Sequence, residues 1–229
     1  PVDYRIGYHF HKKHIFDHND VDVFMHSWST DFEEELVKIY KPKKYLIEPQ
    51  VEFNQGSLRQ NSIKSRWYSN KICIELKKQY EIENKFEYDF VMVYRFDHIL
   101  QKDLIFSNYN SDNFYAAHGG DCTPDKCNCV GNVRYYDAWF FSNSYNMNKF
   151  SALYDSWEYY NLRDPHKDCV RHIDAIGLTS KLKFILYEQR DQYTVRSRII
   201  NCEYNPESEF DVNKLKWFDS HNFERHRWV

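Results

Sequence analysis

The chain has 229 residues, of which 42% are hydrophobic and 28% charged, and its formal net charge at pH 7 is −3. This length suits one substantial hydrophobic core, and the small negative charge gives no overall attraction to nucleic acid or to an anionic membrane. Because no apolar run reaches the roughly 18 residues of a membrane span and no secretory signal opens the chain, we expect a single cytoplasmic domain over residues 1–229.

Strands and helices alternate in the predicted first half of the chain. The first 16 residues allow two interpretations, a strand over "YRIGYHF" or a helix over "YHFHKKHIF". A buried strand over 20–28 precedes a helix with an acidic first turn, which Ser29, Thr30 or Asp31 can cap. Three elements follow, namely a short strand over 41–49, a long helix over 62–84 that Ser62 or Ser65 can cap, and a strand over 85–97.

The predicted second half continues this alternation. Its elements are strands over 113–120, 133–144 and 183–189 and helices over 146–160 and 167–182, and the tail from Asn201 has no clear periodicity. Strands that alternate with helices indicate an α/β layer fold, with a central, mostly parallel sheet flanked by helices. Ligands of such sheets bind beyond the carboxyl ends of the strands.

Three of the six cysteines are crowded into the segment "CTPDKCNC", as Cys122, Cys127 and Cys129. The spacing C-x4-C-x-C is unusual for zinc, and no nearby pair of histidines or cysteines completes four ligands. We interpret the segment as a loop with incidental thiols, and a disulfide or a metal site remain the alternatives.

The stretch "DFVMVYRFDHIL" ends a predicted buried strand with Arg95-Phe96-Asp97. An aspartate at this end of a strand can bind a divalent cation that in turn holds a diphosphate. Arg95 and Asp97 are two residues apart, so they point to the same side of a continuing strand. An ordinary ion pair is the alternative. The other D-x-D-like stretch, Asp20-Val21-Asp22, precedes its strand and therefore lies at the wrong end.

Five segments in this order resemble glycosyltransferases with the GT-A nucleotide-sugar fold, above all those of large DNA viruses of algae and of bacterial surface-polysaccharide clusters. The segments are "DVFMHSW", "PKKYLIEPQ", "SRWYSNKICIELKKQYE", "FEYDFVMVYRFD" and "YYDAWFFSNSYNMNKF". The resemblance implies a single GT-A domain with a donor-binding half over about 1–110 and an acceptor half over about 111–229. It implies transfer of a sugar from a UDP-sugar to a hydroxyl of a glycan or glycoprotein, in viral capsid or surface glycan synthesis in the host cytoplasm.

The same resemblance implies roles for individual residues. Asp97 corresponds to the metal ligand, with Mn²⁺ as the expected cofactor and Mg²⁺ as the alternative, and Arg95 becomes a neighbour of the donor. Asp137 is the first candidate for the base that activates the acceptor hydroxyl, and Asp168 is the second. His221 in the segment "DSHNFERHRW", which also contains His226, is the candidate second metal ligand.

Two residues of the predicted donor side have structural explanations as well. Arg66 lies near the predicted start of the long helix, where an arginine and a helix N-terminus both favour phosphate, although a solvated arginine explains it too. Trp28 ends a predicted strand, where it either stacks on the donor or fills the core.

The resemblance is incomplete at the beginning of the chain. GT-A enzymes open with a strand whose end binds the base, and residues 1–16 show this strand in abbreviated form at best. Two other functions therefore stay open, a non-catalytic glycan-binding protein on the same fold and a metal-dependent phosphohydrolase or nuclease. The last would need several acids at adjacent strand ends, where we identify one.

Overall fold

A computed structural model of the chain describes residues 2–53, 57–118, 135–156, 159, 164–186 and 191–194. Helices and strands alternate there up to residue 94, as predicted, and three further strands then follow one another before the next α-helix. The helices are α1 (Val2–His14), α2 (Glu33–Tyr40), α3 (Leu58–Asn84), α4 (Ser144–Phe150) and α5 (Pro165–Ala175). The strands are β1 (Phe24–Trp28), β2 (Lys44–Glu48), β3 (Val91–Tyr94), β4 (His98–Leu100), β5 (Phe114–His118), β6 (Tyr135–Ser142), β7 (Leu182–Ile185) and β8 (Gln192–Thr194).

The beginning of the chain forms a helix, which decides between the two interpretations of its first 16 residues. Helix α1 buries Tyr4, Ile6 and Phe10, and a 3-10 turn at Phe16–His18 follows it. Ile6 and Phe10 are four residues apart and so lie on one face of a helix. The abbreviated first strand that the resemblance suggests is therefore not found in residues 2–14.

Helix α3 begins earlier than predicted. Ser57 caps it through a capping box, in which the Ser57 hydroxyl accepts a hydrogen bond from the Gln60 amide at 3.3 Å and Gln60 Oε1 accepts one from the Ser57 amide at 3.2 Å. Caps at Ser62 or Ser65 were thus wrong, because the first turns of α3 are polar and show no apolar periodicity. The predicted side-chain caps of α2 were wrong too, since its N-cap is Phe32, with no capping side chain.

The described strands form three sheets. Their pairing is partly parallel and partly antiparallel, whereas a single, mostly parallel sheet was predicted. β1 pairs with β2 in parallel, and β4 pairs with β8 in antiparallel orientation. The largest sheet has the order β3-β6-β5-β7, where β6 is antiparallel to both neighbours and β5 is parallel to β7. The prediction of a mostly parallel sheet was wrong at β6. The apolar residues of β6 are buried on both faces of the sheet, and such a run is typical of parallel strands.

Successive side chains of β6 supply two cores on opposite faces of this sheet, because side chains alternate along a strand. Phe140 packs with Trp67 and Phe150 on the face that α3, α4 and α5 cover. Trp139 and Phe141 belong to the other core. The two cores hold the start of β6 and the end of β3 in fixed positions.

Helix α1 lies against the connection between β3 and β4. An ideal Cβ on Gly7 would stand 1.8 Å from the carbonyl oxygen of Phe96, so only a glycine allows this approach of two backbones. The helix thereby supports the turn that contains Arg95 and Asp97. None of the helices in the described part of the chain is long and apolar enough to cross a membrane.

Candidate functional site

A cavity of about 1340 Å³ lies between β1 and β3. Both strands line it along their length, and residues of α3 line it as well. Four of the predicted site residues that carry charge are among the lining residues, namely Arg66, Arg95, Asp97 and Asp137. Arg95 and Asp97 follow the carboxyl end of β3, and Asp137 lies near the start of the antiparallel β6 at the same edge of the sheet. Arg66 comes from α3.

Arg95-Phe96-Asp97 forms a tight turn between β3 and β4. The turn closes with a hydrogen bond from the His98 amide to the Arg95 carbonyl at 3.2 Å. The Arg95 guanidinium donates to both oxygens of Asp97, at 2.7 Å from Nε and 2.6 Å from Nη2. Both side chains are about one third exposed, at 33% and 30%, so the pair stays within reach of a ligand.

Three elements bring Arg66, Asp137 and His166 together. Arg66 comes from α3, Asp137 from β6 and His166 from the first turn of α5. The Arg66 guanidinium donates to the Asp137 backbone carbonyl, and its Nε lies 3.6 Å from Asp137 Oδ2. His166 Nδ1 lies 3.6 Å from Asp137 Oδ1. Burial would raise the pKa of the Asp137 carboxyl, but Arg66 and His166 beside it hold that pKa below its ordinary value.

The position of Arg66 differs from the sequence prediction in one respect. Because α3 begins at Leu58, Arg66 lies more than two turns inside the helix. The favourable effect of a helix N-terminus on anions falls off within the first turn, so it does not act at Arg66. The positive charge of Arg66 and its contact with Asp137 remain the reasons to include it in the candidate site.

Two buried histidines lie beneath the turn, and their contacts could not be predicted from sequence patterns. His11 Nε2 donates to the His98 carbonyl at 2.7 Å, and the Tyr40 hydroxyl donates to His11 Nδ1 at 3.0 Å. Burial lowers the pKa of His11 to about 4 and that of His98 to about 3. Both imidazoles are therefore neutral at pH 7, and they hold the turn in place without adding charge.

Trp28 lies at the end of β1, and it also lines the cavity. Its indole N–H donates to Ser65 Oγ at 2.8 Å, and its ring stacks on Tyr68 with 5.5 Å between centroids. One face of the indole is therefore already covered by a neighbouring ring. The two roles that the sequence left open for Trp28, stacking on the donor and filling the core, therefore stay predictions.

Asp168, the second candidate for the base, is buried in α5 with 1% exposure and is not among the residues that line the cavity. Its Oδ2 has no hydrogen-bond partner within the described residues. Burial raises the pKa of this carboxyl to about 7, against the opposing effect of Arg171. Asp168 is therefore half protonated near neutral pH.

We expect Asp168→Asn to stabilise the protein above pH 7. Between the unfolded pKa of about 4 and the folded pKa of about 7 the folded state binds more protons, so the free energy of unfolding falls as pH rises. The fall is on the order of 4 kcal/mol at about 1.4 kcal/mol per pKa unit. Asparagine does not titrate, so the variant lacks this pH dependence. Urea unfolding of the original protein and of the variant between pH 4 and 8 measures the difference. The exposed Asp174→Asn on the same helix serves as control, and equal pH slopes for both variants would contradict the assignment.

Several predictions fall on residues outside the described part of the chain. His221, His226 and the cysteines Cys122, Cys127 and Cys129 all lie there, so their roles stay predictions. Within the described residues no group of three or more histidine, cysteine, aspartate or glutamate side chains could hold a metal ion.

His166 was not predicted as a site residue. A signal was present, because Pro165 follows the N-cap Asp164 and so fixes the start of α5 at this residue. The contact between His166 and Asp137 joins elements far apart in sequence, and no local pattern predicts it.

Comparisons with known proteins give little further information. No family model matches the chain, and no curated protein matches it. Among solved structures the chain is similar to a "glycosyltransferase involved in the glycosylation of the major capsid of PBCV-1", at 9% identity and a TM-score of 0.38, over 72% of this chain and 82% of that one. Similarity at this level supports no assignment by itself.

Proposed function

We propose that the protein is a glycosyltransferase that moves a sugar from a UDP-sugar to a hydroxyl of a glycan acceptor. The observation that supports it is the collection of two arginines and two carboxylates, Arg66, Arg95, Asp97 and Asp137, around one cavity at the carboxyl end of β3. Two guanidinium groups suit a diphosphate, and the carboxylates suit a cation and a reacting hydroxyl.

Arg95 is the group best placed to exchange its partner for the donor. An ion pair that is about one third exposed contributes only ~0–1 kcal/mol, so its rearrangement costs little. A diphosphate offers the guanidinium a stronger bidentate acceptor than one carboxylate. When Arg95 turns to the diphosphate, both oxygens of Asp97 are released.

Once Asp97 is released from Arg95, its carboxylate can bind a divalent cation of the kind that accompanies phosphate groups. Mg²⁺ and similar ions are commonly held by one or two carboxylates together with substrate phosphates, so a single acid suffices. We propose Mn²⁺ as this ion, with Mg²⁺ as the alternative and His221 as a second ligand. When bound, the ion neutralises charge on the departing diphosphate.

Asp137 and His166 are the proposed residues of the acceptor side. The acceptor oxygen forms a bond to the anomeric carbon of the sugar, the bond from that carbon to the diphosphate oxygen breaks, and its electron pair leaves with the diphosphate. The hydroxyl proton passes to the Asp137–His166 pair. Because its lowered pKa keeps the carboxylate ionised, Asp137 can orient the acceptor hydroxyl. Asp168 remains the second candidate for the base.

The wider role of the reaction rests on the sequence resemblance alone. We propose a glycan or glycoprotein of a viral capsid or cell surface as the acceptor, and the host cytoplasm as the location. A glycan-binding protein without activity is the main competing function. Detection of UDP release in the presence of an acceptor distinguishes the two.

We expect Arg95→Met to weaken UDP binding in the presence of Mn²⁺ by roughly 10- to 100-fold, because a hydrogen bond to a charged group contributes about 1.5–3 kcal/mol. Calorimetric titration with UDP, GDP and CDP, each with Mn²⁺ and with EDTA, measures it. The matched control is Arg171→Met on the exposed face of α5, outside the cavity lining. Equal UDP affinities of the two variants would remove the support for this donor site.

A further inference from the structure

A glutamate, a histidine and a serine form a chain of hydrogen bonds that joins β2, β1 and α3. His26 lies in the middle of β1, and its side chain is fully buried. Its Nε2 lies 3.1 Å from Glu48 Oε1 at the end of β2, and its Nδ1 lies 2.9 Å from Ser69 Oγ on α3. The parallel pairing of β1 with β2 and the packing of α3 against β1 hold the three side chains in these positions.

The hydrogen bonds of Glu48 decide which nitrogen of His26 carries the proton. A carboxylate has no hydrogen to donate, and Glu48 Oε1 also accepts one from the Tyr68 hydroxyl at 2.8 Å. Nε2 is therefore the donor to Glu48. Burial lowers the pKa of His26, against the opposing effect of Glu48, so the imidazole is neutral at pH 7. Its Nδ1 then carries a lone pair, and this lone pair faces the Ser69 hydroxyl.

The Ser69 hydroxyl has one hydrogen and two acceptors within reach. They are His26 Nδ1 at 2.9 Å and, one turn earlier in α3, the Ser65 carbonyl oxygen at 3.0 Å. A hydrogen directed at Ser65 would leave the lone pairs of Nδ1 and Oγ facing each other at 2.9 Å. The hydrogen is therefore directed at His26, which can accept it when Oγ forms a new bond. A serine held in this way by a neutral histidine is an activated nucleophile.

Ser69 and His26 both line the cavity, so a bound ligand can reach the hydroxyl. The next residue of α3, Asn70, lines the cavity too, and its Nδ2 is buried without a hydrogen-bond partner among the described residues. A buried donor without a partner costs free energy, which a ligand oxygen in the cavity would recover. Because backbone amides inside a helix are bonded to carbonyls, a side-chain donor is needed for an oxyanion beside Ser69.

We propose that Ser69 is a nucleophile that takes an acyl group from a carboxylic ester bound in the cavity. Its Oγ forms a bond to the carbonyl carbon, its proton passes to His26 Nδ1, and Asn70 Nδ2 donates to the carbonyl oxygen as this oxygen gains charge. The bond from the carbon to the alcohol oxygen then breaks, the electron pair leaves with that oxygen, and His26 returns the proton to it. Water attacks the acyl-serine in the same way and releases the carboxylic acid.

The test treats the protein with a fluorophosphonate, which modifies activated serines with loss of fluoride, and identifies the modified residue by peptide mass spectrometry. Ser62 is the internal control, because it lies on the same helix, lines the same cavity and is more exposed. Its hydroxyl donates to the Leu58 carbonyl at 2.9 Å, with no histidine bonded to it. We expect Ser69 to react at least ~100-fold faster than Ser62, since a general base contributes about 10²–10⁴-fold. Equal rates, or no modification of Ser69, overturn the proposal.

A second measurement follows the hydrolysis of p-nitrophenyl acetate. Ser69→Ala should lower kcat/KM by at least ~100-fold, and Ser62→Ala should leave it unchanged. Equal values for Ser69→Ala and the original protein overturn the proposal, and the modification of the original protein decides it even if the variant fails to fold. Because neither measurement needs a nucleotide, a metal ion or a glycan, the outcome does not depend on whether the glycosyltransferase function holds.

Discussion

Asp97→Asn is expected to reduce sugar transfer by at least ~10²-fold, which corresponds to about 2.7 kcal/mol at ~1.4 kcal/mol per decade. Asparagine keeps the size of the side chain and removes the charge that would hold a cation beside the diphosphate. Loss of a direct metal ligand can cost several kcal/mol of charge stabilisation in the transition state. The UDP affinity measured with Mn²⁺ should fall, and the affinity in EDTA should not change.

The structure makes this variant informative about stability as well. Because the Arg95–Asp97 pair is about one third exposed, its loss should change the metal-free melting temperature little. Asp89→Asn is the matched control, since Asp89 lines the same cavity at the amino end of β3. If Asp97→Asn retains full Mn²⁺-dependent UDP affinity, Asp97 serves only as the partner of Arg95 and the proposed cation site is wrong.

Lys77→Met is expected to destabilise the fold by about 3–5 kcal/mol, the range for removal of one partner from a buried ion pair. Lys77 is 2% exposed, and its ammonium donates to Glu81 Oε2 at 2.9 Å, Ser144 Oγ at 2.6 Å and Asn148 Oδ1 at 2.9 Å. Burial lowers the pKa of Lys77, against the opposing effect of Glu81. Methionine fills the volume but leaves the Glu81 carboxylate buried without a cation.

A melting curve measures this effect as a decrease of roughly 6–20 °C for a chain of this size. The adjacent Lys78 is exposed, so Lys78→Met provides a control with the same chemical change. The double variant Lys77→Met with Glu81→Gln should recover much of the loss, because the buried charge is then gone. Equal melting temperatures for the two single variants would show that the buried lysine contributes no stability.

Much of the fold could be predicted from the sequence because most elements have a local signature. The runs around Phe140 in β6 and Val91 in β3 are short, apolar and rich in β-propensity, and both are strands. The orientation of β6 could not be predicted, because burial on both faces hides the difference between parallel and antiparallel pairing. The start of α3 was missed because its cap, Ser57, lies before a polar turn.

The site was predictable where it depends on strand ends and not where it depends on contacts between distant elements. Asp97 follows β3, so its place at a strand end was predictable, but Asp137 near the start of β6 shares that edge only because β6 is antiparallel to β3. The contacts of His11 with Tyr40 and of His166 with Asp137 join residues that are 29 positions apart in both pairs. No periodicity or spacing encodes such contacts, which become visible only once the helices have packed.

The contact between Gly7 and Phe96 also limits how this protein can be engineered. Replacement of a mid-helix glycine by alanine is a standard route to higher stability, because alanine has a helix propensity about 1 kcal/mol better. At position 7 the added methyl group would meet a main-chain carbonyl that cannot rotate away, so the helix or the Arg95–Asp97 turn would have to shift. Directed evolution for heat resistance should therefore leave this glycine unchanged in variants that keep the turn intact.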